Sequence, residues 1–253
     1  WMVDALTLET ITPRGTDGDT LNGLLSRSDA FAAHYRIDPD TGHVCNFGTA
    51  LDPVKGETSV SIYELGEDMT PARDVCRFTF EGAAAIHDFC ITTNWYLFCL
   101  PPAGVNNRRA IGALLGREAF ASVIDFDMDA THATVFLIPR KGGGGNMIAG
   151  TDERVKMIKV PNHFSFHFAN AFEDENGHVY FDSVCTDDAN LGLNYPKDVP
   201  IWESVVWEDV PTRIYARYAV DPQFESSVVG LPPRRIVSER NPEFPTGACT
   251  PCA

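Results

Sequence analysis

The chain has 253 residues and a formal net charge of −15, and 44% of its residues are hydrophobic. This acidity argues against a nucleic-acid-binding surface, because phosphate contacts need clustered Lys and Arg. No stretch reaches the roughly 18 to 20 apolar residues of a membrane-spanning helix, and the first ten residues lack the basic and apolar regions of a signal peptide.

Most of the chain reads as short β-strands separated by turns. The strand segments are, in order, HVCNFGTAL (43–51), TSVSIYEL (58–65), CRFTF (76–80), WYLFCL (95–100), ATVFLIP (133–139), VKMIKV (155–160), HFSFHFA (163–169), HVYFDSV (178–184) and TRIYARYAV (212–220). Turn signals at 38–42 and 175–177 separate some of them, and the second predicts a tight hairpin. Such spacing predicts an all-β sandwich, barrel or propeller.

Three other segments interrupt the strand pattern. Residues Asn107 to Val123 predict a helix, because their apolar residues recur at spacings of three and four. The glycine run from Gly142 to Gly145 lacks the G-x-x-x-x-G-K-[ST] ending of a phosphate-binding loop, so we expect a flexible hairpin tip. Residues 186–209 read as an irregular insertion between sheets, to which we assign no chemistry.

The seven cysteines show no framework spacing, and the chain has no N-x-[ST] acceptor for glycosylation. Both features indicate reduced thiols inside a cell. Cys249 and Cys252 form a C-x-x-C motif, but no second Cys or His pair accompanies it, so it gives little support for a metal or redox site.

His163 and His167 lie four residues apart in a segment where phenylalanines alternate with other residues. This alternation is typical of a strand rather than of a helical H-x-x-x-H motif. On a regular strand both rings would point to one side, but they would be separated by roughly 13 Å. One ion cannot hold both histidines, so at most one of the two is a ligand and any partners must come from elsewhere in the chain.

Three histidines have similar surroundings: His34 in AAHYRIDPDTG, His87 in AAIHDFCITTNWYLF and His167 in FSFHFANAFED. A single histidine on an apolar strand is usually a hydrogen-bonded core residue. Three on separate strands converge only around a common axis, which a propeller supplies because its innermost strands line a central channel. Neutral imidazoles suit iron, zinc, copper or nickel, so the ligand type leaves the metal open.

The other four histidines are poor ligand candidates. His43, His132 and His178 lie in or next to turns and polar segments, so we expect them to face solvent. His163 follows Pro161 and Asn162, and we expect it to mark the start of its strand.

At these segments the sequence resembles the carotenoid cleavage oxygenase family, which includes the retinal pigment epithelium isomerase and the lignostilbene dioxygenases. AHYRIDPDTGHVCNFG is similar to the first iron-histidine segment, A-H-P-x-x-D-x-x-T-G with N-x-G after it. IHDFCITTNWYLF is similar to the second, H-D-F-x-x-T-x-N-Y, and FHFANAFEDENG to the third, F-H-x-x-N-A-[FY]-E. ATVFLIPRKGG and NPEFP resemble further motifs in the same order, so the resemblance covers nearly the whole chain.

The resemblance implies a seven-bladed β-propeller that holds Fe(II) on its axis by four histidines. Residues 1–253 would form a single domain, a partial propeller of roughly five blades with a short helical insertion. By the same resemblance His34, His87 and His167 would be iron ligands. Glu243 would be a carboxylate that orients an iron-bound imidazole.

Two carboxylates stand beside these histidines or close to them in sequence. Asp88 directly follows His87, and Glu173 follows in the third motif. Adjacent strand residues point to opposite faces, so we expect both carboxylates to be structural.

The implied activity is O₂-dependent cleavage of a conjugated C=C bond in a carotenoid or apocarotenoid into two carbonyl products. A stilbene-cleaving or retinoid-isomerising relative is one alternative. An inactive propeller remnant that binds an apolar ligand or a protein is a second, and a zinc site on the same histidines is a third.

The predicted helix lies where members of the family attach to membranes. Its apolar residues Ile111, Leu114, Leu115 and Phe120 would form a patch that draws a lipid-soluble substrate from a bilayer. We expect an intracellular protein, in the cytoplasm or a plastid, with peripheral membrane contact.

The resemblance also predicts that the chain is an internal fragment. The family's fourth iron ligand lies near its C-terminus, yet no histidine follows His178 here, and the chain opens on Trp1. We therefore expect one iron ligand to lie outside this chain.

Overall fold

The structure is a computed structural model that describes residues 2–3, 6–11, 31–52, 54–67, 69–118, 120–186, 189 and 214–223. Within these ranges the strands are β1 (Met2–Val3), β2 (Thr10–Ile11), β3 (Arg36–Ile37), β4 (Val44–Asp52), β5 (Glu57–Leu65), β6 (Cys76–Glu81), β7 (Cys90–Ile91), β8 (Trp95–Leu100), β9 (Ala103–Val105), β10 (Ile124–Phe126), β11 (His132–Pro139), β12 (Gly145–Ile148), β13 (Lys156–Pro161), β14 (Phe164–Glu173), β15 (Val179–Thr186) and β16 (Ile214–Val220). Helix α1 spans Asn107–Leu114, and a 3-10 helix spans Phe120–Val123. The all-β prediction is confirmed.

The described strands form three larger sheets and two ribbons. The larger sheets have the strand orders β12-β6-β5-β4-β3, β13-β11-β8-β7 and β14-β15-β16. Every pairing is antiparallel except that of β12 with β6. The ribbons are β1-β2 and β9-β10.

The four-stranded sheet is buried on both faces. On β8, Leu97 and Cys99 belong to a core cluster shared with the three-stranded sheet, whereas Tyr96 and Phe98 belong to a cluster shared with the five-stranded sheet. A strand buried on both sides needs apolar residues at every position, which explains the uninterrupted segments WYLFCL and ATVFLIP. The three sheets therefore pack face to face in series.

A buried ionic network joins the five-stranded and four-stranded sheets. Arg140, which follows β11, donates to the Asp38 carboxylate (2.5 Å), the Glu64 carboxylate (3.2 Å) and the carbonyl of Thr92 (2.8 Å). Tyr96 donates to the other oxygen of Glu64 at 2.7 Å. Burial alone would raise the pKa of Asp38, but the hydrogen bonds from Arg140 and the backbone outweigh burial and lower this pKa to about 2. The carboxylates and Arg140 therefore stay ionised, and their hydrogen bonds fix the two sheets relative to each other.

The predicted helix is shorter than its periodicity suggested. Asn106 caps α1 by accepting a hydrogen bond from the backbone N–H of Arg109 at 3.0 Å. The helix ends at Leu114 because Gly116 adopts a φ of 69°, in the left-handed region that terminates helices. The prediction of one helix to Val123 was therefore wrong at its C-terminal half.

The glycine run is not a hairpin tip. It connects β11 of the four-stranded sheet to β12, which pairs in parallel with β6 of the five-stranded sheet. At Gly143 an added Cβ would lie 2.1 Å from the carbonyl oxygen of Pro139, so the tight crossing requires glycine there. The predicted insertion at 186–209 lies almost wholly outside the described residues, as do Cys249 and Cys252.

Gly143→Ala is expected to destabilise the protein by about 1–3 kcal/mol, because the new methyl group would displace backbone that has no room to move. Gly144→Ala is the matched control, since its Cβ would come no closer than 3.8 Å to Asp74. Urea unfolding of both variants tests this expectation. Equal midpoints for the two variants would show that the crossing is not as tight as the structure has it.

Candidate metal centre

The three histidines lie in or just before edge strands of the three larger sheets. His34 precedes β3 by two residues, His87 precedes β7 by three, and His167 lies within β14. Strands β3, β7 and β14 are edge strands of the three larger sheets. The packing of the sheets therefore brings histidines from distant parts of the sequence to one place.

The three imidazoles face one another. The Nε2 atoms of His34 and His87 are 2.9 Å apart, and one nitrogen from each of the three rings lies within 4.8 Å of the others. The ring centroids are 4.6 Å apart for His34 and His87, 4.8 Å for His34 and His167, and 5.0 Å for His87 and His167. This arrangement is the convergence that the sequence predicts for a common axis.

The donor set fits a divalent transition metal. Imidazole nitrogens bind zinc at about 2.0–2.1 Å, so two of them at right angles on one ion lie roughly 2.9 Å apart. Burial, together with the neighbouring His34 and His167, lowers the pKa of His87, which favours the neutral ring that a metal requires. His34 is half-buried and the other two histidines are exposed, so an ion and a further ligand can reach the site.

Irregularities in β14 set the position of His167. The register with β15 shifts between Ser165 and Phe168, and again between Phe168 and Asn170. Each shift inserts an extra residue and breaks the two-residue alternation. The prediction that His163 and His167 share one side of a regular strand therefore does not hold.

His163 is a core residue. It directly precedes β14, and 5% of its surface is exposed. Its Nδ1 donates to the carbonyl of Pro161 at 2.9 Å, and its ring stacks on Tyr218 at 5.0 Å. Burial lowers the pKa of His163, so the ring stays neutral inside the core.

An aromatic row leads from β10 to the histidines. Phe166 lies edge-on to His87 at a centroid distance of 5.2 Å. Phe164 contacts Phe166 at 4.8 Å, and Phe126 contacts Phe164 at 5.1 Å. The row provides an apolar wall beside the candidate metal centre.

The two carboxylates near the histidines have the structural contacts expected of them. Asp88 is buried and accepts hydrogen bonds from the backbone N–H of Phe168 (3.0 Å) and from Arg36 (2.6 Å). Glu173 accepts from the backbone N–H and the side-chain amide of Asn94, both at 2.7 Å. Nothing in the sequence pattern selects Arg36, because its acceptors lie more than 50 residues away in the chain.

The remaining predicted residues lie apart from the site or outside the described ranges. His43 and His178 are half-buried rather than solvent-facing, because they contact the carboxylates of Glu64 and Asp174 at 3.0 Å. His132 is also half-buried. Glu243 lies outside the residues that the structure describes.

The chain belongs to the family described as retinal pigment epithelial membrane protein, whose family model matches residues 1–248. It is 33% identical over 171 residues to the apocarotenoid-15,15'-oxygenase of Synechocystis, an alignment that covers 66% of this chain and 31% of that protein. It is 29% identical over 237 residues to resveratrol cleavage oxygenase 1 of Aspergillus fumigatus, covering 85% of this chain and 38% of that protein.

Comparison with solved structures also identifies this family. The cobalt-substituted apocarotenoid oxygenase of Synechocystis superposes with a TM-score of 0.70 at 26% identity, covering 88% of this chain and 42% of that one. The propeller fold is therefore confirmed, and the chain is that of an oxygenase-family protein. It spans about a third of the length of the curated relatives named above.

Removing any one of the three imidazoles is expected to weaken metal binding by more than the roughly 10–100-fold that losing an outer hydrogen-bond partner costs. The variants are His34→Ala, His87→Ala and His167→Ala, with His132→Ala as a control on a histidine outside the cluster. Metal content after anaerobic loading with Fe²⁺ or Co²⁺ measures the effect. Retention of wild-type stoichiometry by any of the three would remove that residue from the ligand set.

Proposed function

We propose that this chain is part of a non-haem Fe(II)-dependent dioxygenase that cleaves a conjugated C=C bond of a carotenoid or apocarotenoid into two carbonyl products. The observation that carries the proposal is the meeting of three imidazoles, from segments of three different sheets, with one ring nitrogen of each within 4.8 Å of the others. Membership of a family whose relatives are named oxygenases supports it.

His34, His87 and His167 are the residues that would hold the iron. An all-nitrogen ligand set of neutral rings leaves the ion its full charge and keeps coordination positions open. Iron, when bound, supplies the activation of O₂. The protein contributes the geometry of the rings and an apolar contact beside them, since Phe166 packs edge-on against His87.

The half-buried rings of Phe126 and Phe166 in the aromatic row suit an apolar polyene, and the buried ring of Phe164 packs between them. Flat aromatic faces bury a large apolar area, and their negative quadrupole stabilises electron-poor carbon in a reacting polyene. Phe166 contacts His87, so a substrate that lies along the row reaches the candidate metal centre. Phe89 and Phe168, also near ligands in sequence, are buried in the core, and Phe31 packs near Tyr63.

Stilbene cleavage is the second candidate activity. The alignment with the fungal resveratrol cleavage oxygenase covers 85% of this chain, more than the 66% covered by the apocarotenoid oxygenase. A stilbene is shorter than a carotenoid and needs only the part of an apolar wall nearest the metal. Parallel assays with an apocarotenoid and with resveratrol separate the two.

Helix α1 is a candidate surface for peripheral membrane contact. The exposed fractions of Ile111, Leu114 and Leu115 are 61%, 85% and 62%. The side chain of Phe120, the fourth predicted member of this patch, lies outside the described part of the chain. Among the described helices, none has the length and apolarity needed to cross a bilayer. We propose that α1 rests on the surface of a cytoplasmic or plastid membrane, from which a lipid-soluble substrate enters.

The protein expressed from its complete reading frame, purified anaerobically, is expected to contain iron and to convert an apocarotenoid into carbonyl products that carry label from ¹⁸O₂. His87→Ala should abolish both properties, and His132→Ala should leave both unchanged. Zinc in place of iron, or wild-type iron content without any cleavage of polyene or stilbene, would contradict the proposal. The second outcome would favour a binding protein derived from the same fold.

Leu114→Asp is expected to weaken binding to lipid vesicles by about tenfold or more, because burial of a leucine side chain contributes about 1.5–3 kcal/mol. Val54→Asp is the matched control, since Val54 is 94% exposed and lies in the turn between β4 and β5 rather than in α1. Co-sedimentation with vesicles measures binding. Equal losses in both variants would show that α1 is not the contact surface.

A further inference from the structure

The guanidinium of Arg36 connects the three segments that carry the histidines. Its Nη2 donates to the Asp88 carboxylate at 2.6 Å and to the carbonyl of Phe168 at 3.0 Å. Its Nε donates to the carbonyl of Phe89 at 2.7 Å. These contacts join β3, the segment before β7, and β14, which belong to three different sheets.

Asp88 completes this connection from the other side. Its carboxylate accepts from the backbone N–H of Phe89 at 2.8 Å and of Phe168 at 3.0 Å, in addition to Arg36. The side chain of Asp88 is 3% exposed, whereas that of Arg36 is 28% exposed. A carboxylate so deeply buried requires all of its partners, because an unpaired buried charge is costly.

Every anchored segment carries one of the histidines within two residues. Arg36 follows His34 by two positions, and Asp88 and Phe168 directly follow the other two histidines. The backbone positions of the three histidines are therefore set by one shared ion pair. Neither the packing of a single sheet nor a local turn can do this, since no two of these histidines lie in the same sheet.

We propose that Arg36 and Asp88 are positioning residues of the metal centre, which hold the three imidazoles at ligand distance before the metal arrives. The inference rests on the proposed function, because it needs a metal at these histidines. The planar guanidinium reaches three acceptors from fixed directions, which the point charge of a lysine does not. Without the Arg36–Asp88 ion pair, metal binding would have to order three independent segments.

The ion pair of Arg217 with Asp182 provides a matched control. Its two hydrogen bonds measure 2.7 and 2.8 Å, and the exposed fractions of its side chains are 32% and 2%, close to those of the first pair. It lies between β15 and β16 of the sheet that contains His167. It joins neighbouring strands within one sheet rather than segments that carry histidines.

The test is a titration with Co²⁺ of the protein expressed from its complete reading frame. The variants are Arg36→Met, Arg36→Lys and Asp88→Asn, with Arg217→Met as control. Competition with a chelator measures Co²⁺ affinity, the visible absorption of bound Co²⁺ reports ligand geometry, and thermal unfolding of the metal-free protein measures stability.

Arg36→Met and Asp88→Asn are expected to lower Co²⁺ affinity by about 10–100-fold and to change the Co²⁺ spectrum. Arg36→Lys should retain more of the wild-type stability than of the wild-type Co²⁺ affinity. It replaces Arg36→Met in the comparison if Arg36→Met does not fold. Arg217→Met should lower the unfolding midpoint while leaving Co²⁺ affinity and spectrum at their wild-type values.

Two outcomes would overturn the inference alone. In one, the wild type binds Co²⁺ and the Arg36 and Asp88 variants bind it with unchanged affinity and spectrum. In the other, Arg217→Met loses as much affinity as they do, which would assign the effect to general stability. A wild-type protein that binds no Co²⁺ would instead overturn the proposed function, and the positioning role with it.

Discussion

The ion pair between the buried Asp88 and the half-buried Arg36 is the contact on which the candidate site depends. Three sheets pack in series through two apolar clusters, and this packing brings their inner edges into the same region. Apolar packing is not directional enough to align three imidazoles to within an ångström. Directional hydrogen bonds to two backbone carbonyls and one carboxylate provide that alignment.

Buried polar groups therefore have two separate structural roles in an otherwise apolar interior. The network of Arg140, Glu64 and Asp38 joins two sheets and uses hydrogen bonds to keep its carboxylates ionised. The Arg36–Asp88 pair joins all three histidine-bearing segments. The overall acidity of the chain plays no part in either, since Arg36 balances Asp88, and Arg140 together with Arg73 balances Asp38 and Glu64.

The elements that the sequence predicts well are those dominated by one local pattern. WYLFCL and ATVFLIP are uninterrupted apolar segments because their sheet is buried on both faces, and both were predicted as strands to within a residue. The helix was overextended because apolar spacing continues past Gly116, where the backbone turns into the left-handed region. The glycine run was misassigned because its role depends on a strand more than 60 residues earlier, with which β12 pairs in parallel.

The same difference between local patterns and distant contacts determines which parts of the candidate site the sequence predicts. His34, His87 and His167 can be selected from the sequence because each lies in a recognisable motif, and a common axis is the simplest way to bring them together. The irregular register of β14 and the role of Arg36 cannot be selected in this way, since both arise from contacts between distant segments. Local patterns identify the candidate ligands, while tertiary contacts determine their geometry.

The binding of one iron ion by three imidazoles from separate sheets can be measured by X-ray absorption spectroscopy of the iron-loaded protein, expressed from its complete reading frame. We expect a first coordination shell of nitrogen or oxygen atoms with the outer-shell scattering of at least three imidazole rings. A shell containing sulfur, or one with fewer than three imidazoles, would contradict this expectation.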